Sequence, residues 1–440
     1  MAEVESKTPV REGYKQTEIG EIPESWEVRS IGSLALVTDF VANGSFASLK
    51  ENVTYLKGSG FAVLVRTADF SSGWNGNYVW VDEHAYRFLA KSSLLPGDLV
   101  ICNVGAVGTV FCVPDLDVPM TIGPNAVLCR TSNPELLSQR FFAQVFHSRV
   151  GKEKLKAITT QTAQAKFNKT DFRGVHISLP PLPEQQAIAE VLESVDDSIQ
   201  ATQGVIEQQR VVKQGLLQQL LTRGIGHTKF KQTEIGEIPE SWEVKALGDV
   251  GELKNGINKA KEDFGFGSLF LNISDAYSPV LDICSLERLN ATDKEIREYR
   301  LKHGDFVFVR SSVKPTGVGY PTLFKSAPEP VLFCGFMIRL RPSSEIQVHD
   351  FLLHVMRSDS FRSNLFRVST ISANTNVNQA ALSKLLVPLP PLPEQQAIAD
   401  ILQSVDDSIR AEEERLTQLE TLKRGLMQDL LTGKVRVKVS

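Results

Sequence analysis

The chain has 440 residues, 42% of them apolar and 23% charged, too long for one compact core and suited to roughly two to four domains of an ordinary soluble protein. Lys and Arg total 48 against 52 for Asp and Glu, a formal net charge of −4, so the bulk basic excess usual for a nucleic-acid binder is missing. Five cysteines, none in a C-x-x-C pair, argue against a disulfide framework or a structural zinc site. The opening MAEVESKTPVREGYK lacks an apolar signal core, and the longest apolar stretch, VLFCGFMI at 331–338, is far short of a membrane span. A soluble, cytoplasmic protein is expected.

In chain order, the first distinctive element is KQTEIGEIPESWEV at 15–28, which returns unchanged at 231–244. FAVLVRTAD (61–69) reads as a strand, and LPGDLVICNVGAVG (95–108) as a Gly-Asp turn, a β-branched strand and a glycine-bearing loop. Both have counterparts downstream, SLFLNISD (268–275) and HGDFVFVRSSVKPTGVG (303–319). TTQTAQAKFNKTDFRGVHISL (159–179) aligns without a gap on STISANTNVNQAALSKLLVPL (369–389) at an offset of 210. Next, LPPLPEQQAIAEVLESVDDSI (179–199) returns as LPPLPEQQAIADILQSVDDSI (389–409), and KQGLLQQLLTRG (213–224) matches KRGLMQDLLTGK (423–434). FGFG at 264–267 follows a charged stretch and is read as a loop. A two-copy repeat of this period is a duplicated module, not a solenoid. The scaffold is kept while the polar loops differ, as two recognition modules with different targets require.

After each LPPLPEQ the pattern becomes helical. Pro183 fits the first turn, where its missing N–H is harmless. The first copy carries the stripe Ile188, Leu192, Val195, Ile199, Thr202, Ile206, Gln209, Lys213, Leu216 and Leu220. The second carries Ile398, Leu402, Val405, Ile409, Glu412, Leu416, Leu419, Lys423, Leu426 and Leu430. The 3–4 spacing predicts coiled-coil packing, in helices of about 40 residues and roughly 60 Å. Each helix could lie on its own domain, but two like stripes in one chain favour mutual pairing, and the connectivity favours an antiparallel pair. Residues 183–224 hold 3 basic and 6 acidic side chains, and 393–433 hold 4 and 9, so the helices carry a net −8 and the rest +4. The helices are therefore a poor phosphate-binding surface.

Two variable modules separated by two near-identical helical blocks, each opening L-P-P-L-P-E-Q-Q-A-I-A, resemble the specificity (S) subunits of type I restriction-modification enzymes, over essentially the whole chain. The resemblance implies an α+β protein. Two β-rich globular target recognition domains would be joined by two long helices in an antiparallel coiled coil, with pseudo-twofold duplication. The expected boundaries are 1–180 for the first recognition domain, 181–224 for the central helical spacer and 225–390 for the second recognition domain. A distal spacer at 391–433 and a C-terminal tail at 434–440 complete the chain. The tail is expected near residues 1–25. The resemblance further implies double-stranded DNA as ligand, two modification (methyltransferase) subunits and restriction (ATP-dependent translocase and nuclease) subunits as partners. S-adenosylmethionine, ATP and Mg would belong to those partners, with no cofactor, metal or catalytic residue in this chain. The residues agree: Ser132-Asn133-Pro134-Glu135 is no methyltransferase catalytic loop, and no G-x-x-x-x-G-K-[ST] occurs. A bivalent coiled-coil scaffold holding two protein partners apart is the alternative reading.

Base reading needs Arg, Lys, Asn, Gln, Ser or Thr in a groove. The loop before the last strand offers Thr162, Gln164, Lys166, Asn168 and Lys169 in the first module, and Ser372, Asn374, Asn376, Asn378 and Gln379 in the second. Turn chemistry explains such residues equally well. The post-strand loops offer Asn103 and Thr109, then Arg310, Ser311, Ser312 and Lys314, with Arg310 the sharpest single candidate for guanine. The early loops add Asn43, Ser45 and Lys50, and Asn255, Asn258, Lys259 and Lys261. Trp74, Asn75, Asn77 and Tyr78 are further candidates, although aromatics there more often pack as core. Arg66 and Asn272 are equivalent positions ending a predicted strand.

Overall fold

The computed structural model describes residues 10–160, 164–371 and 374–438. These form two compact units, one from residues 1–203 with 414–440 and the other from 204–413. Each unit opens with a two-stranded hairpin, Tyr14–Thr17 with Gly20–Pro23 in the first and Phe230–Thr233 with Gly236–Pro239 in the second. The next strand, Glu27–Ser30 or Glu243–Ala246, pairs antiparallel with the strand that precedes a long helix, His176–Leu179 or Leu386–Leu389. Entry to each unit and exit from it are thereby tied together.

Between them lie two larger sheets per unit, and the second unit adds a small three-stranded one from Ser311–Ser312, Thr375–Asn376 and Thr370–Ile371. In the first unit, Leu99–Cys102 sits between Val110–Cys112 and Ala126–Thr131, and Ala35–Asp39 closes the edge, all antiparallel. In the second, Phe306–Val309 and Met337–Pro342 hold the corresponding centre. Both central strands are apolar at every position and buried throughout, the pattern of a strand covered on both faces. Each is entered through a glycine turn at positive φ, Gly97 (+83°) or Gly304 (+85°), a backbone that L side chains rarely adopt. The second sheet of each unit is mixed, with one parallel pair: Ala62–Val65 with Met120–Ile122, and Phe264–Leu271 with Val331–Phe333. The FGFG segment is thus strand, not loop. Its register shifts between Phe264 and Ser268, and Gly265 (φ +100°) and Gly267 (φ +93°) absorb the irregularity. Phe264 packs edge-on against Phe270, with centroids 5.4 Å apart.

Two long helices, Leu182–Arg223 and Leu392–Leu430, carry the repeated blocks, and each unit holds one half of each. In the first unit Ile188 and Leu192 share a core with Met427, Leu430 and Leu431, and Lys423 pairs with Asp196. In the second, Leu220 and Leu221 share a core with Ile398 and Leu402, Lys213 pairs with Asp406, and Arg210 meets Glu413 at 2.7 Å. Early residues of one helix face late residues of the other, so the pairing within each unit is antiparallel. The breaks in the apolar stripe at Lys213 and Lys423 are therefore cross-helix ion pairs, which fix register where apolar contacts alone would allow sliding.

The two repeated motifs lock onto each other. Trp26 and Trp242, from the IPESWEV blocks, are fully buried. The Trp26 indole N–H donates to Glu184 Oε2 at 3.0 Å, and that of Trp242 to Glu394 Oε2 at 2.9 Å, each glutamate standing in an LPPLPEQ block. The third partner differs: Arg436 on Glu184, at 2.5 Å from Nε, and His227 on Glu394, at 2.8 Å. Tyr14 also donates to the Gly433 carbonyl at 2.8 Å, so the tail lies against the N-terminal hairpin, the proximity expected from the duplication.

Candidate nucleic-acid interface

In each unit the two loops singled out above meet a third at a junction built by backbone bonds. The residue after the central strand, Asn103 or Arg310, donates its N–H to the carbonyl of Asn125 (3.0 Å) or Phe336 (2.8 Å). Its own carbonyl accepts from Phe167 N–H (3.2 Å) or Val377 N–H (2.9 Å). Short pairings reinforce the junction: Val104 bridges Lys166, and Ser311 and Ser312 pair with Asn376 and Thr375. The backbone is the same in both units, while the outward residues differ.

Beside each junction lies a groove. The first, about 540 Å³, is lined by Asp39, Val41, Phe46, Lys50, Tyr55, Asn103 and Asn125 among others. The second, about 830 Å³, is lined by Tyr277, Ser311, Ser312, Val313, Lys314, Phe336 and Asn374 among others. Phe46 is 83% exposed and Val313 80%, unusual for apolar side chains unless a partner covers them. Lys50, Lys166 and Lys314 are exposed and Arg310 is half-buried. None of these four makes a side-chain hydrogen bond or ion pair among the described residues, which leaves their cationic groups available to an anionic or base-edge ligand. Asn103 spends its amide on Phe167 O at 3.2 Å. Gln164 and Asn374 are exposed beside the junction.

Other candidates have internal tasks. Asn168 and Asn378 cap the helices Lys169–Arg173 and Gln379–Ser383, accepting from the N–H of Asp171 and Ala381 at 2.8 Å. Their recurrence at one offset is a shared helix start. Lys169 pairs with Asp39 at 2.7 Å and Lys259 with Glu295 at 2.9 Å. The Thr292 backbone N–H and then the Lys259 ammonium hold the Glu295 carboxyl down at about 2. Asn43 is consumed at both ends, donating to Phe40 O and Ser92 Oγ and accepting from Lys91 N–H. Ser45 caps the helix Phe46–Asn52, Ser312 is buried, and the Asn376 amide donates to Asn374 O at 2.9 Å. The Asn255 Oδ1 is buried without a partner. Neither Asn255 nor Lys259 lines the groove. Thr162 and Ser372 lie outside the described residues.

Arg66 and Asn272 are equivalent, each donating its backbone N–H to the aspartate three residues on, Asp69 at 2.8 Å or Asp275 at 2.9 Å. The guanidinium of Arg66 also donates to the Asp69 carboxylate, which raises the Arg66 pKa above its ordinary value. Trp74 stands edge-on to Phe111 with centroids 5.8 Å apart, and Tyr78 donates to Trp74 O at 3.0 Å, so these aromatics are packing. Sequence reasoning missed Asn125 and Phe336, the third corner of each junction. Both immediately precede the strands Ala126–Thr131 and Met337–Pro342, and aligning those strands would have exposed the pair. Among the described residues no group of three or more His, Cys, Asp or Glu side chains could hold a metal ion. Among the described residues, no helix is long and apolar enough to cross a membrane.

Duplicated α+β units, each presenting a three-loop junction on a frame of paired long helices, give the chain two equivalent candidate surfaces of different side-chain content. Residues 23–209 and 239–421 each match the model of the type I restriction modification DNA specificity domain, and the chain belongs to that family. A putative type I restriction enzyme MjaX specificity subunit of Methanocaldococcus jannaschii is 28% identical over 443 residues, covering 97% of each chain. The EcoKI specificity subunit of Escherichia coli is 23% identical, covering 86% of this chain and 82% of that one. Among solved structures, one of a type I R-M system described for its complex assembly and conformational transition aligns with a TM-score of 0.59 at 16% identity, covering 94% and 99%. The S subunit from M. genitalium aligns at 0.52 and 15%, covering 92% and 96%. These two likenesses concern the fold.

Proposed function

We propose that this chain is the sequence-reading subunit of a type I restriction-modification complex, each unit reading one half of a bipartite duplex target. The observation that carries this reading is the junction itself. The same backbone bonds frame both units, yet Asn103 in one corresponds to Arg310 in the other, Asn125 to Phe336, and Lys166 to Asn376. A constant frame with exchanged side chains is what base-edge discrimination needs. On this reading the chain carries out no chemistry. It assembles with two modification subunits, which bring S-adenosylmethionine, and with restriction subunits, which use ATP and Mg, in the cytoplasm. Arg310 is the residue most suited to a guanine, since its donor fork matches the O6 and N7 acceptors.

The test is a map of methylated adenines in the source genome with the gene intact, deleted, or carrying Arg310→Ala. Deletion should erase one bipartite motif. Arg310→Ala should relax a single base pair in one half-site, corresponding to about 1–3 kcal/mol of discrimination, and leave the other half-site intact. An unchanged methylation map after deletion would refute the reading and favour a scaffold that holds protein partners.

A further inference from the structure

We infer that the helix Arg149–Ile158 of the first unit, with the adjoining loop 105–107, is a sequence-independent anchor for the DNA phosphate backbone, and that the second unit has no equivalent. This rests on the DNA-reading function proposed above and adds the helix Arg149–Ile158 to the post-strand loop already offered as a candidate reader.

The helix reads RVGKEKLKAI, four cations against one carboxylate. Arg149 is engaged by Glu153 at 2.7 Å, and Lys154 is partly buried, which depresses its ammonium pKa. Lys152 and Lys156 remain exposed and make no ion pair or side-chain hydrogen bond among the described residues. Four residues apart, they share one face of the helix, separated by about 6 Å along its axis, a spacing that lets both reach phosphates of one strand.

Both lysines line a groove of about 600 Å³ whose opposite wall is the loop Gly105–Thr109. That loop turns at Gly105 (φ +80°) and Gly108 (φ +83°). Gly108 N–H donates to Cys102 O and Thr109 N–H to Ala106 O. The N–H groups of Gly105, Ala106 and Val107 have no acceptor among the described residues. Successive free amides in a turn form a concavity suited to an anion, and here two unpaired ammonium groups face it. The groove adjoins the junction directly, because Cys102 and Asn103 lead into the loop and Thr160 and Ala165 complete the lining. A phosphate held there would set the register of the duplex against the reading side chains without carrying sequence information.

The second unit spends the corresponding groups differently. Arg362 stands where the first unit has Lys152, and its guanidinium donates to the Thr316 carbonyl at 2.8 Å, tying down the second unit's own post-strand loop. Phe366 replaces Lys156 and lies under the Arg362 guanidinium, 5.0 Å from ring centroid to Cζ. That loop also carries Pro315, which has no N–H to offer.

The experiment uses the full chain assembled with its modification subunits and a duplex bearing the mapped bipartite target, with affinity measured from ~50 to ~200 mM KCl. Each lost phosphate contact lowers the slope of log K against log salt by about 0.9. Lys152→Ala/Lys156→Ala should therefore flatten the slope by about two and weaken binding roughly tenfold at ~0.1 M salt, with the methylated sequence unchanged. Lys152→Arg/Lys156→Arg should restore both. An unchanged slope overturns the anchor, and so does a loss of affinity that merely follows loss of the modification subunits from the complex. A wild-type complex that binds target and scrambled duplexes equally sinks the sequence-reading function instead, while the slope comparison still decides whether the anchor exists.

Discussion

Arg339 carries a charge that its surroundings compensate poorly. It sits in the strand Met337–Pro342 opposite Val307, only 1% exposed, with Nε and one terminal nitrogen buried and unpartnered. Its ion pair to Glu252 at 3.3 Å reaches a carboxylate that is itself mostly in water. Burial, reinforced by neighbouring Arg341, pushes its pKa below the usual arginine value. The first unit puts Leu128 at the same place, opposite Val100, and that leucine is fully buried. A buried charge poorly matched to its partner is often neutral or stabilising to remove when an apolar residue of similar volume replaces it. Arg339→Leu should leave stability unchanged or raise it by about 1–3 kcal/mol, read as a higher denaturant midpoint. Arg341 is the contrasting case. It forms a two-pronged pair with buried Asp305, at 2.8 and 2.6 Å, as Arg130 does with Asp98, and its loss would leave a buried carboxylate stranded. A fall in the midpoint for Arg339→Leu would mean that the Glu252 contact outweighs the burial cost.

At the scale of elements, the repeated motifs show what a sequence can and cannot disclose. Both long helices were legible, because a 3–4 apolar stripe and the proline-bearing entry are local signals that packing reinforces. The identity of the IPESWEV and LPPLPEQ blocks was visible but unexplained, since Trp26 and Glu184 are 158 residues apart and meet only once the chain has folded. Asn168 and Asn378 present the opposite difficulty: both cap helices, and a helix cap and a base reader draw on the same residue type. FGFG was misread because its positive-φ glycines look like a turn when the bulged pairing with Glu287–Leu289 is unknown. The Trp–Glu lock is open to a direct test. Glu184 is nearly fully buried, and Arg436 supplies its counter-charge from the tail. Because Arg436 itself is 42% exposed, Arg436→Ala should cost about 2 kcal/mol, less than breaking a wholly buried pair. Hydrogen exchange should speed up at the hairpin 14–23 and the start of the first long helix, while the second unit, where His227 and the Ile225 N–H engage Glu394, keeps its protection. Equal loss of protection in both units would show that the lock does not hold each unit separately.

For the whole molecule, the near-neutral charge is an average over unlike parts. The acidic helices and the mildly basic modules, at a net −8 and +4, assign different tasks to different stretches of one chain. Duplication was the strongest signal in the sequence because it needs no side-chain geometry, whereas the junctions needed it and stayed hidden. If reading is confined to the junctions, the long helices should govern only the gap between half-sites. The stretch after Leu216 is a suitable place to test this, since it follows the Lys213–Asp406 pair and precedes Leu220 and Leu221, which enter the core of the second unit. Inserting one helical turn of four residues there adds about 6 Å of helix, equivalent to about two base pairs of duplex at ~3.4 Å each. Methylated-adenine mapping of the insertion variant should return both half-sites unaltered with a gap changed by about one to two base pairs, within the tolerance of a helix that also rotates as it lengthens. Altered half-sites with the original gap would place sequence reading on the helices and remove the division of labour between frame and junction.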